Sequence, residues 1–548
     1  VDGIVIGNFL GSASMAAFGI VSPLFILFSA VAGVFSNGSI SLCGKYIGRD
    51  QPGKVNEVFT IAVICAGAAA LICAAACLIF PETAAGFLGA EGEILPLAAA
   101  YIRGLGAGAL PIIISQVLMA FTKTDGSPRL GLYSIIVMTV INITLDFCNV
   151  LFFHLGMFGM AMATSISYFA AVFICLIHFF KPVNSLRFVR VKNPFRELCT
   201  IGKTGFPNAL NKICITARTA LTNHVLMLLT GDVALTAFSI QNSLNSICTG
   251  IGATTLLISG IFYGEEDKRT LEDSVRVSIK TGVLLTVIVC AASLLFLKPL
   301  VMMFGRDNPE AASMAVRVMF WFLLSLPLYT VNLVFLNYYQ SAGNLPMANF
   351  MCVGDNFFFM MLFIGILSPV FGTDGVWISF LLGEGAMLMA LTGVVAWKKR
   401  HFPRSLEDFL LLPEDFGVPE EQQLSLSLEN DMDKVIILSE NIGRFCRKQG
   451  IDKRRTHHLS LCIEEMTGNV VQHAFTDGKK HFIDIRVLIK KEQLIFRIRD
   501  DGIPFNPLEK LQEDADPCKN IGIRLVKRIS VGTDYRNTIG LNNLIVKL

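Results

Sequence analysis

Three short motifs near the C-terminal end have the residue types and the order of a nucleotide-binding site. The first, EEMTGN, places Glu465 and Asn469 four residues apart, so both side chains project from one face of a helix. The second, RDDGIPFNP, ends a strand with Asp500 and a turn at Gly502. The third, NIGIRLV, begins a helix at Gly522. In this order they predict a pocket for ATP and Mg²⁺.

Each motif has a chemical role in that pocket. We expect Asn469 to hold Mg²⁺ and Glu465, as the catalytic residue, to orient or deprotonate an attacking hydroxyl group. Asp500 would bind the adenine amino group, with the turn at Gly502 beside it. The backbone at Gly522 would lie beside the phosphates, because a helix N-terminus attracts anions. The alternative is an ordinary turn at DDG and a solvated helix face at Glu465 and Asn469.

Ionisable side chains inside apolar segments form the second set of candidates, because a charge at the centre of a bilayer costs roughly 3 kcal/mol or more. Asn142 and Asp146, four residues apart, could present an amide and a carboxylate to one cation or proton. The alternative is a polar pair that only joins helices. We favour the functional role for this pair. A further acidic candidate is Asp2, whereas we expect interhelical or interfacial contacts for His224, Asp355 and Glu384.

Apolar segments dominate the chain. Of its 548 residues 53% are hydrophobic and 16% are charged, and the mean hydropathy of +0.58 is too high for a soluble protein of this size. The net charge of +3 gives no basic field for nucleic acid, and the 14 cysteines lack the paired spacing of metal ligands. We therefore predict a polytopic α-helical protein in a lipid bilayer, without a nucleic-acid partner.

The apolar segments have the length of membrane spans, which need about 20 residues. We predict the remnant of a first span at residues 1–10 and expect the natural chain to begin before Val1. Further spans are predicted at residues 14–37, 57–80, 96–121, 130–152, 158–180, 205–229, 233–262, 277–300, 313–339, 346–368 and 375–397. Basic residues are concentrated in the loops that follow even-numbered spans. By the positive-inside rule these loops are cytoplasmic, so everything after residue 400 is predicted to be cytoplasmic in a cell-membrane protein.

The two halves of the membrane part repeat one another. LPIIISQVLMAFTKTDGSPRLG at residues 110–131 is similar to LPLYTVNLVFLNYYQSAGNLPMA at residues 326–348, and Gly156 corresponds to Gly372. A duplication in the same orientation predicts two six-helix bundles, the first helix truncated, on either side of a central cleft. This is the architecture of an alternating-access transporter.

The composition changes abruptly after Trp397, where a charged segment with prolines predicts a cytoplasmic tether and a short surface helix. Beyond it, helices are predicted at residues 431–449, 454–474 and near 520–530, and strands at QLSLSL, HFIDIRVLIK, QLIFRIRD and NNLIVKL. These elements predict a compact α/β sandwich. The predicted domains are an N-terminal bundle at residues 1–200, a C-terminal bundle at 201–400, a linker at 401–422 and an ATP-binding domain at 423–548.

The membrane part resembles the multidrug and toxin extrusion (MATE) family in its spans, its duplication and the motifs VDGIVIGNFLG, TDGSPRLG and NITLDFCNVLFFHLGMFGMAMATSISY. The resemblance implies export of bulky, often cationic organic solutes, driven by inward flow of protons or sodium ions. It also implies a cation site formed by Asp2, Asn142, Asp146 and Thr164. Other members have an acidic site in spans seven and eight, where this sequence has no carboxylate. That difference favours a cation site in the first half and argues against a second cation.

The order of the three C-terminal motifs resembles the N, G1 and G2 boxes of the GHKL (Bergerat) ATPase fold. CIEEMTGNVVQHAF is most similar to the anti-sigma-factor serine kinases, including His473 after the box asparagine. The resemblance implies Mg·ATP binding and leaves open phosphorylation of a serine on an antagonist-like partner protein. Asn520 stands where a glycine is common, and GIPF replaces a more glycine-rich turn, so the sequence favours binding over catalysis.

Together these features favour a cation-coupled antiporter for organic solutes with an ATP-binding, serine-kinase-like regulatory domain. The sequence has no P-loop of the GxxxxGK[ST] type, so we do not expect ATP to drive transport. One alternative is a membrane-tethered serine kinase that uses the bundle as a sensor. A sensor histidine kinase fits less well, because residues 398–423 are too short for a dimerisation helix pair and contain only His401. Another alternative is a flippase for a lipid-linked saccharide.

Overall fold

The computed structural model divides the chain into two compact units. The first consists of residues 1–121, 130–177 and 186–414, and the second of residues 122–129, 178–185 and 415–548. The structure describes all residues except 1, 50, 182–183, 231–233, 235–236, 239–254, 296–308, 415, 477, 491–492, 508, 510–519 and 539–540.

Helices make up the membrane part, because a segment in lipid must satisfy its own backbone hydrogen bonds. Their bounds are α1 Asp2–Phe9, α2 Ser12–Gly48, α3 Pro52–Ile79, α4 Pro81–Phe87, α5 Ile94–Thr124, α6 Pro128–Cys148, α7 Gly156–Leu176, α8 Pro194–Thr230, α9 Thr255–Gly264, α10 Lys268–Leu295, α11 Pro309–Ala342, α12 Leu345–Val353, α13 Phe359–Lys399 and α14 Leu406–Leu410. Single π-helical turns at Asn149–Phe153 and Gly354–Phe358 follow α6 and α12.

Ten stretches of helix in the described part of the chain are long and apolar enough to cross a membrane. Each corresponds to one predicted span, which confirms the polytopic α-helical fold. The helices extend beyond the predicted limits, most clearly at α8, which begins at Pro194 rather than at residue 205. The helical hydrogen bonds continue there through polar residues, which a hydropathy profile does not include in the span. The predicted span at 233–262 lies largely outside the described residues, apart from its last part, α9.

Matching backbone features support the predicted duplication. A proline lies inside each of the corresponding helices α5 and α11, at Pro111 and Pro327. Gly156, at the start of α7, and Gly372, at a kink within α13, have φ angles of +58° and +59°. This left-handed conformation favours glycine. The same special positions therefore recur in both halves, as expected for two bundles of one fold.

Helix α2 joins the two halves through glycine contacts in its C-terminal part. Gly44 and Gly48 lie against Gly260 and Gly264 of α9. A Cβ atom added at Gly48 would collide with the carbonyl oxygen of Ile261. Glycine is required here because the two backbones touch. We call this contact the glycine seam.

The linker helix α14 is anchored to the first unit, whereas the sequence predicts a helix on the surface. Leu410 is only 2% exposed, and its carbonyl oxygen accepts a hydrogen bond of 2.7 Å from the Tyr338 hydroxyl group. The carboxylate of Glu407 pairs with the ammonium group of Lys268 at 2.6 Å. The linker therefore makes contacts with the first unit that its charged composition does not reveal.

Residues 415–548 form an antiparallel sheet packed against helices. The strands are β1 Gln423–Glu429, β2 Phe482–Lys490, β3 Gln493–Asp500, β4 Gly532–Thr538 and β5 Leu541–Lys547, and the helices are α15 Met432–Lys448, α16 Lys453–His473 and α17 Ile521–Ile529. The strand order is β1-β2-β3-β5-β4. Apolar side chains between the helices and the sheet form the core, among them Ile463, Phe496 and Val546. This is the predicted α/β sandwich.

Strand β4 is the one element of this sheet that the sequence pattern does not predict. Its sequence, GTDYRNT, has no alternation of apolar and polar residues. It forms because β5 offers it a full register of antiparallel partners, from Gly532 opposite Lys547 to Thr538 opposite Leu541. Tertiary pairing therefore overrides local propensity at this edge.

Candidate functional site

The acidic site of the first half lies where α1, α6 and α7 meet. The Thr164 hydroxyl group donates a hydrogen bond of 2.9 Å to Oδ2 of Asp2, and Nδ2 of Asn142 donates one of 3.4 Å to the Thr164 oxygen. Asp146, one turn from Asn142 on α6, interacts electrostatically with Asp2. The structure thus brings together the four residues that the resemblance assigns to a cation site. We call them the first acidic site.

Asp146 is the most enclosed member of this site. Its side chain is 0% exposed, and neither carboxylate oxygen accepts a hydrogen bond from a donor in the described part of the chain. Two neighbouring carboxylates repel each other, and an unpaired buried charge is strongly unfavourable. The pair formed by Asp2 and Asp146 is therefore suited to take up a proton or a small cation.

A cavity of about 320 Å³, partly open to solvent, lies beside Asp2. Asn142 and Thr164 contribute polar groups to its wall, and four aromatic rings also line it: Phe18, Phe25, Tyr101 and Tyr168. A carboxylate and aromatic faces together attract organic cations. The cavity therefore has the size and chemistry of a solute site.

Asp355 and Glu384 make the interhelical contacts expected from the sequence. Nδ2 of Asn332, on α11, donates to Oδ1 of Asp355 at 3.0 Å and to Oε2 of Glu384 at 2.9 Å. Arg218, on α8, interacts electrostatically with both carboxylates. Arg218 is absent from the sequence-based candidates, although a basic residue within a predicted span is itself a signal. His224 is exposed and belongs to neither cluster.

Two of the three C-terminal motifs line one pocket. Asn469 of α16 and Asp500 at the end of β3 face the same cavity, which is partly open to solvent. His473 contributes to the wall, and the remaining residues are mainly apolar: Met466, Val470, Ile503, Phe505 and Leu544. An apolar wall with a few convergent polar groups is typical of a small-molecule site.

Asp500 is held by a network of hydrogen bonds. Its Oδ1 accepts from Nδ2 of Asn542 at 2.7 Å and from the backbone N–H of Gly502 at 2.9 Å. The Tyr535 hydroxyl group donates to Oδ1 of Asn542 at 2.7 Å, which turns the amide donor toward Asp500. Burial raises the pKa of the Asp500 carboxyl above its ordinary value, and the two hydrogen bonds partly offset this effect. Asn542 was not predicted as a functional residue, although polar residues in an otherwise apolar strand are a signal.

Glycine permits close approaches at two predicted positions of the pocket. A Cβ atom added at Gly502 would lie 2.6 Å from the carbonyl oxygen of Ala474, and one added at Gly522 would collide with the Glu465 carboxylate. Glu465 therefore lies against the first turn of α17. The backbone N–H groups of such a turn attract anions.

The residues around this turn fit a phosphate group. Asn520, with φ of +54°, precedes α17, and its Nδ2 is buried without a hydrogen-bond partner among the described residues. A buried donor that lacks an acceptor, next to a helix N-terminus, suits an anionic oxygen. With Asn469 and Asp500 in the same pocket, the donor set fits Mg·ATP. Residues 510–519, just before this turn, lie outside the described part.

Two family profiles match the chain. The MatE profile matches residues 1–148 and 207–362, and that of the histidine kinase-like ATPase domain matches residues 428–548. Among curated relatives is the multidrug export protein MepA of Staphylococcus aureus, which is 23% identical over 401 residues, 71% of this chain and 87% of that protein. MepA of Staphylococcus saprophyticus is 24% identical over 403 residues, with the same coverage.

Solved structures with a similar membrane fold include one described as the outward-facing conformation of a multidrug resistance MATE family transporter of the MOP superfamily. It has a TM-score of 0.67 and 22% identity, over 73% of this chain and 90% of that one. A MOP superfamily transporter from Pyrococcus furiosus, described as having a binding pocket of reverse polarity, has a TM-score of 0.66 with the same identity and coverage. At this identity the similarity establishes the fold.

Proposed function

Because the chain belongs to the MatE family of membrane transporters and carries a histidine kinase-like ATPase domain, we propose that it is a cation-coupled antiporter that exports organic solutes. The observation that carries the proposal is the environment of Asp146. Its buried carboxylate has no donor in the described part of the chain and lies beside Asp2, which lines a solute-sized cavity. The export function of the MepA relatives supports the same conclusion.

The proposed mechanism depends on competition for one negative charge. When the Asp2 and Asp146 pair is ionised, its charge attracts an organic cation that also contacts the rings of Tyr101 and Tyr168. A proton or sodium ion that binds between the two carboxylates lowers the negative charge of the pair by one and weakens solute binding. Because the two occupancies are linked, inward flow of the ion drives the solute outward.

We assign a regulatory role to the ATP-binding domain. Asp500 would bind the adenine amino group, Asn469 the Mg²⁺ ion, and the backbone at Gly522 the phosphates, with Gly502 keeping the turn beside the base. Bound ATP would supply a phosphoryl group for transfer. Glu465 would orient or deprotonate a serine hydroxyl group of an anti-sigma-antagonist-like partner.

We also propose the domain limits and the topology. The bundles occupy residues 1–200 and 201–400, the linker residues 401–422, and the ATP-binding domain residues 423–548. The domain lies in the cytoplasm, because the basic residues Lys398, Lys399 and Arg400 end the last span.

A second candidate function is a membrane-tethered serine kinase that uses the bundle to sense a solute. The position of Glu465 against α17 favours it, since a purely binding domain does not need a carboxylate beside the phosphates. A labelled-ATP phosphorylation assay on the full chain distinguishes it: phosphoserine on a partner would support this candidate, and phosphohistidine would indicate a sensor histidine kinase.

The direct test is gradient-driven efflux of a fluorescent organic cation from proteoliposomes. Asp146→Asn keeps the size of the side chain but cannot be ionised, so the ion gradient should no longer drive efflux. Asp374→Asn is the matched control, because this carboxylate lies at the surface and pairs with Arg317 at 3.3 Å. Asn469→Ala should retain gradient-driven efflux. If Asp146→Asn transports as well as the control, the coupling mechanism is wrong.

A further inference from the structure

The segment that connects α7 to α8 combines basic and aromatic residues within a short length of chain. It runs from residue 187 to residue 196 with the sequence RFVRVKNPFR, and its last three residues begin α8. We call this segment the basic strap. It contains no acidic residue, and its basic residues are Arg187, Arg190, Lys192 and Arg196. The strap therefore has a high local positive charge.

Backbone hydrogen bonds attach the strap to α3. The N–H group of Arg187 donates to Oδ1 of Asn56 at 2.9 Å. The N–H group of Val189 donates to the hydroxyl oxygen of Thr60 at 3.1 Å. Both acceptors belong to the first turns of α3, so the strap has a fixed place beside the start of this helix.

The start of α3 lies at the level of lipid headgroups. This helix has 28 residues and is apolar enough to cross a membrane. At 1.5 Å per residue it is roughly 42 Å long, which matches a bilayer of about 40–45 Å including its headgroups. The ammonium group of Lys54, in the first turn of α3, pairs with the carboxylate of Glu197, in the first turn of α8, at 3.1 Å. Both helices therefore begin near the strap, at one surface of the bilayer.

The basic side chains of the strap are available to a partner. All four are exposed, whereas the intervening Val189 and Val191 are partly buried. In the described part of the chain none of the four forms an ion pair with a carboxylate, although Lys54 nearby pairs with both Glu57 and Glu197. The protein thus neutralises the charge beside the strap and leaves that of the strap itself.

Two exposed aromatic rings accompany these charges. Phe188 is 64% exposed and Phe195 is 77% exposed. Basic side chains together with exposed phenylalanines are typical of segments that lie in the membrane interface, where the rings enter the boundary of the acyl chains. A soluble acidic partner would match the charges alone. The combination therefore favours a lipid surface.

From this placement we propose that the basic strap binds the headgroups of anionic phospholipids. Lysine and arginine side chains beside a membrane attract anionic lipids, and a guanidinium group can donate two parallel hydrogen bonds to a phosphate group. Because the strap connects α7 to α8, bound lipid would hold this connection against the bilayer surface. The proposal goes beyond the transport function, since lipid binding exists whether or not a solute is exported.

The alternative is that these basic residues only orient the chain during membrane insertion. That role ends once the protein is inserted, so it predicts no preference of the folded protein among lipids. Lipid binding by the purified protein therefore distinguishes the two roles.

Titration of the purified full chain, in an uncharged detergent, with fluorescent phosphatidylglycerol tests the proposal. Phosphatidylcholine with the same labelled acyl chain measures apolar association alone. We expect phosphatidylglycerol to bind about tenfold more tightly in low salt, as several basic side chains contribute. Salt at about 1 M should remove most of this difference, because it screens the charges.

A variant without the charges of the strap locates the binding site. It carries the substitutions R187Q, R190Q, K192Q and R196Q. Its affinity for phosphatidylglycerol should fall about tenfold, to that for phosphatidylcholine. The matched control removes three arginines and one lysine from exposed helix positions of the C-terminal domain. It carries R444Q, R447Q, R454Q and K448Q, and it should bind both lipids like the unmodified protein.

Hydrogen–deuterium exchange provides a second measurement in case the strap variant fails to insert or fold. In the unmodified protein, peptides that cover residues 187–196 should exchange more slowly in nanodiscs that contain phosphatidylglycerol than in pure phosphatidylcholine. The proposal is overturned if the two lipids bind equally, if the control loses as much affinity as the strap variant, or if the strap exchanges equally in both nanodiscs. Equal exchange would leave the strap with a role in insertion or with a soluble acidic partner.

Discussion

Each half of the membrane unit contains a pair of carboxyl groups, but the surroundings of the two pairs differ. In the first half, Asp146 has no described donor and Asp2 borders a wide cavity. In the second half, Asn332 bonds both carboxyls and Arg218 faces them. The comparison shows that a duplicated fold does not duplicate its chemistry: one pair borders a cavity and has few donors, and the other is held by an amide beside a cation.

The largest effect should come from removing the Asn332 amide, which donates to both Asp355 and Glu384. Asn332→Leu keeps a similar volume but leaves two buried carboxyls without their donors. We expect the free energy of unfolding to fall by about 3 kcal/mol. In the first half, Thr164→Val removes a single donor and should cost about 1 kcal/mol. Thermal unfolding of the purified proteins measures the difference, and equal losses would remove the proposed distinction between the sites.

The next largest effect concerns solute affinity. Asp2→Asn removes the charge at the cavity and should weaken binding of a fluorescent organic cation about tenfold, as expected for a contact with a charged group. Asp355→Asn should change the affinity by less than about twofold, because this residue does not line the cavity. Equilibrium titration in detergent measures both. A similar loss in the two variants would mean that Asp355 also contacts the solute.

A buried carboxyl group of the C-terminal domain, Asp500, sharpens the comparison. Asp500 is held by Asn542 much as Asp355 is held by Asn332, and burial raises the pKa of Asp500. The ordinary aspartate pKa is about 3.9. Because adenine needs the ionised carboxylate, ATP affinity should increase a few-fold as pH rises through the raised pKa. Over the same pH range the free energy of unfolding of the protein decreases, because the contribution of the protonated Asp500 carboxyl group is lost.

Binding of fluorescent ATP to the full chain at several pH values measures this dependence. Asp500→Asn should bind ATP weakly and without the increase. A flat profile for the unmodified protein would show that Asp500 does not contact the base through an ionised carboxylate.

The smallest effect is expected at an exposed ion pair. The side chains of Lys268 and Glu407 are 47% and 48% exposed, and solvent screens such pairs. Glu407→Gln should therefore reduce the free energy of unfolding by less than about 1 kcal/mol. This value is the reference for an exposed interaction, against which the losses caused by Asn332→Leu and Thr164→Val are compared. A loss as large as that of Asn332→Leu would mean that burial is not the cause of the difference.

Much of the fold could be predicted because it depends on local pattern. Apolar runs of membrane length gave the spans, and the helices and strands of the sandwich that were predicted are found within one residue at each end. Strand β4 was not predicted because its pairing with β5 compensates for a sequence without alternation.

Some site residues could be predicted from the sequence and others could not, and the cause is again whether the signal is local. Asp2, Asn142, Asp146 and Thr164 belong to motifs of the MATE resemblance, so their proximity was expected. Asn332 and Arg218 lie on different helices from Asp355, and only the packing of those helices brings them together. Asn542 likewise acts across strands, through Asp500. Partners distant in sequence leave little local signal.

The glycine seam has a consequence for the balance between conformations. Because α2 and α9 touch backbone to backbone, this arrangement requires that Gly48 and Gly264 lack a methyl group. A rearranged state that separates the two helices would not have that restriction. An alanine at Gly48 would therefore penalise one state and spare the other, and would shift the populations without contacting any ligand. In such a transporter, the absence of side chains at these glycines would help to set how often the protein opens to each side of the membrane.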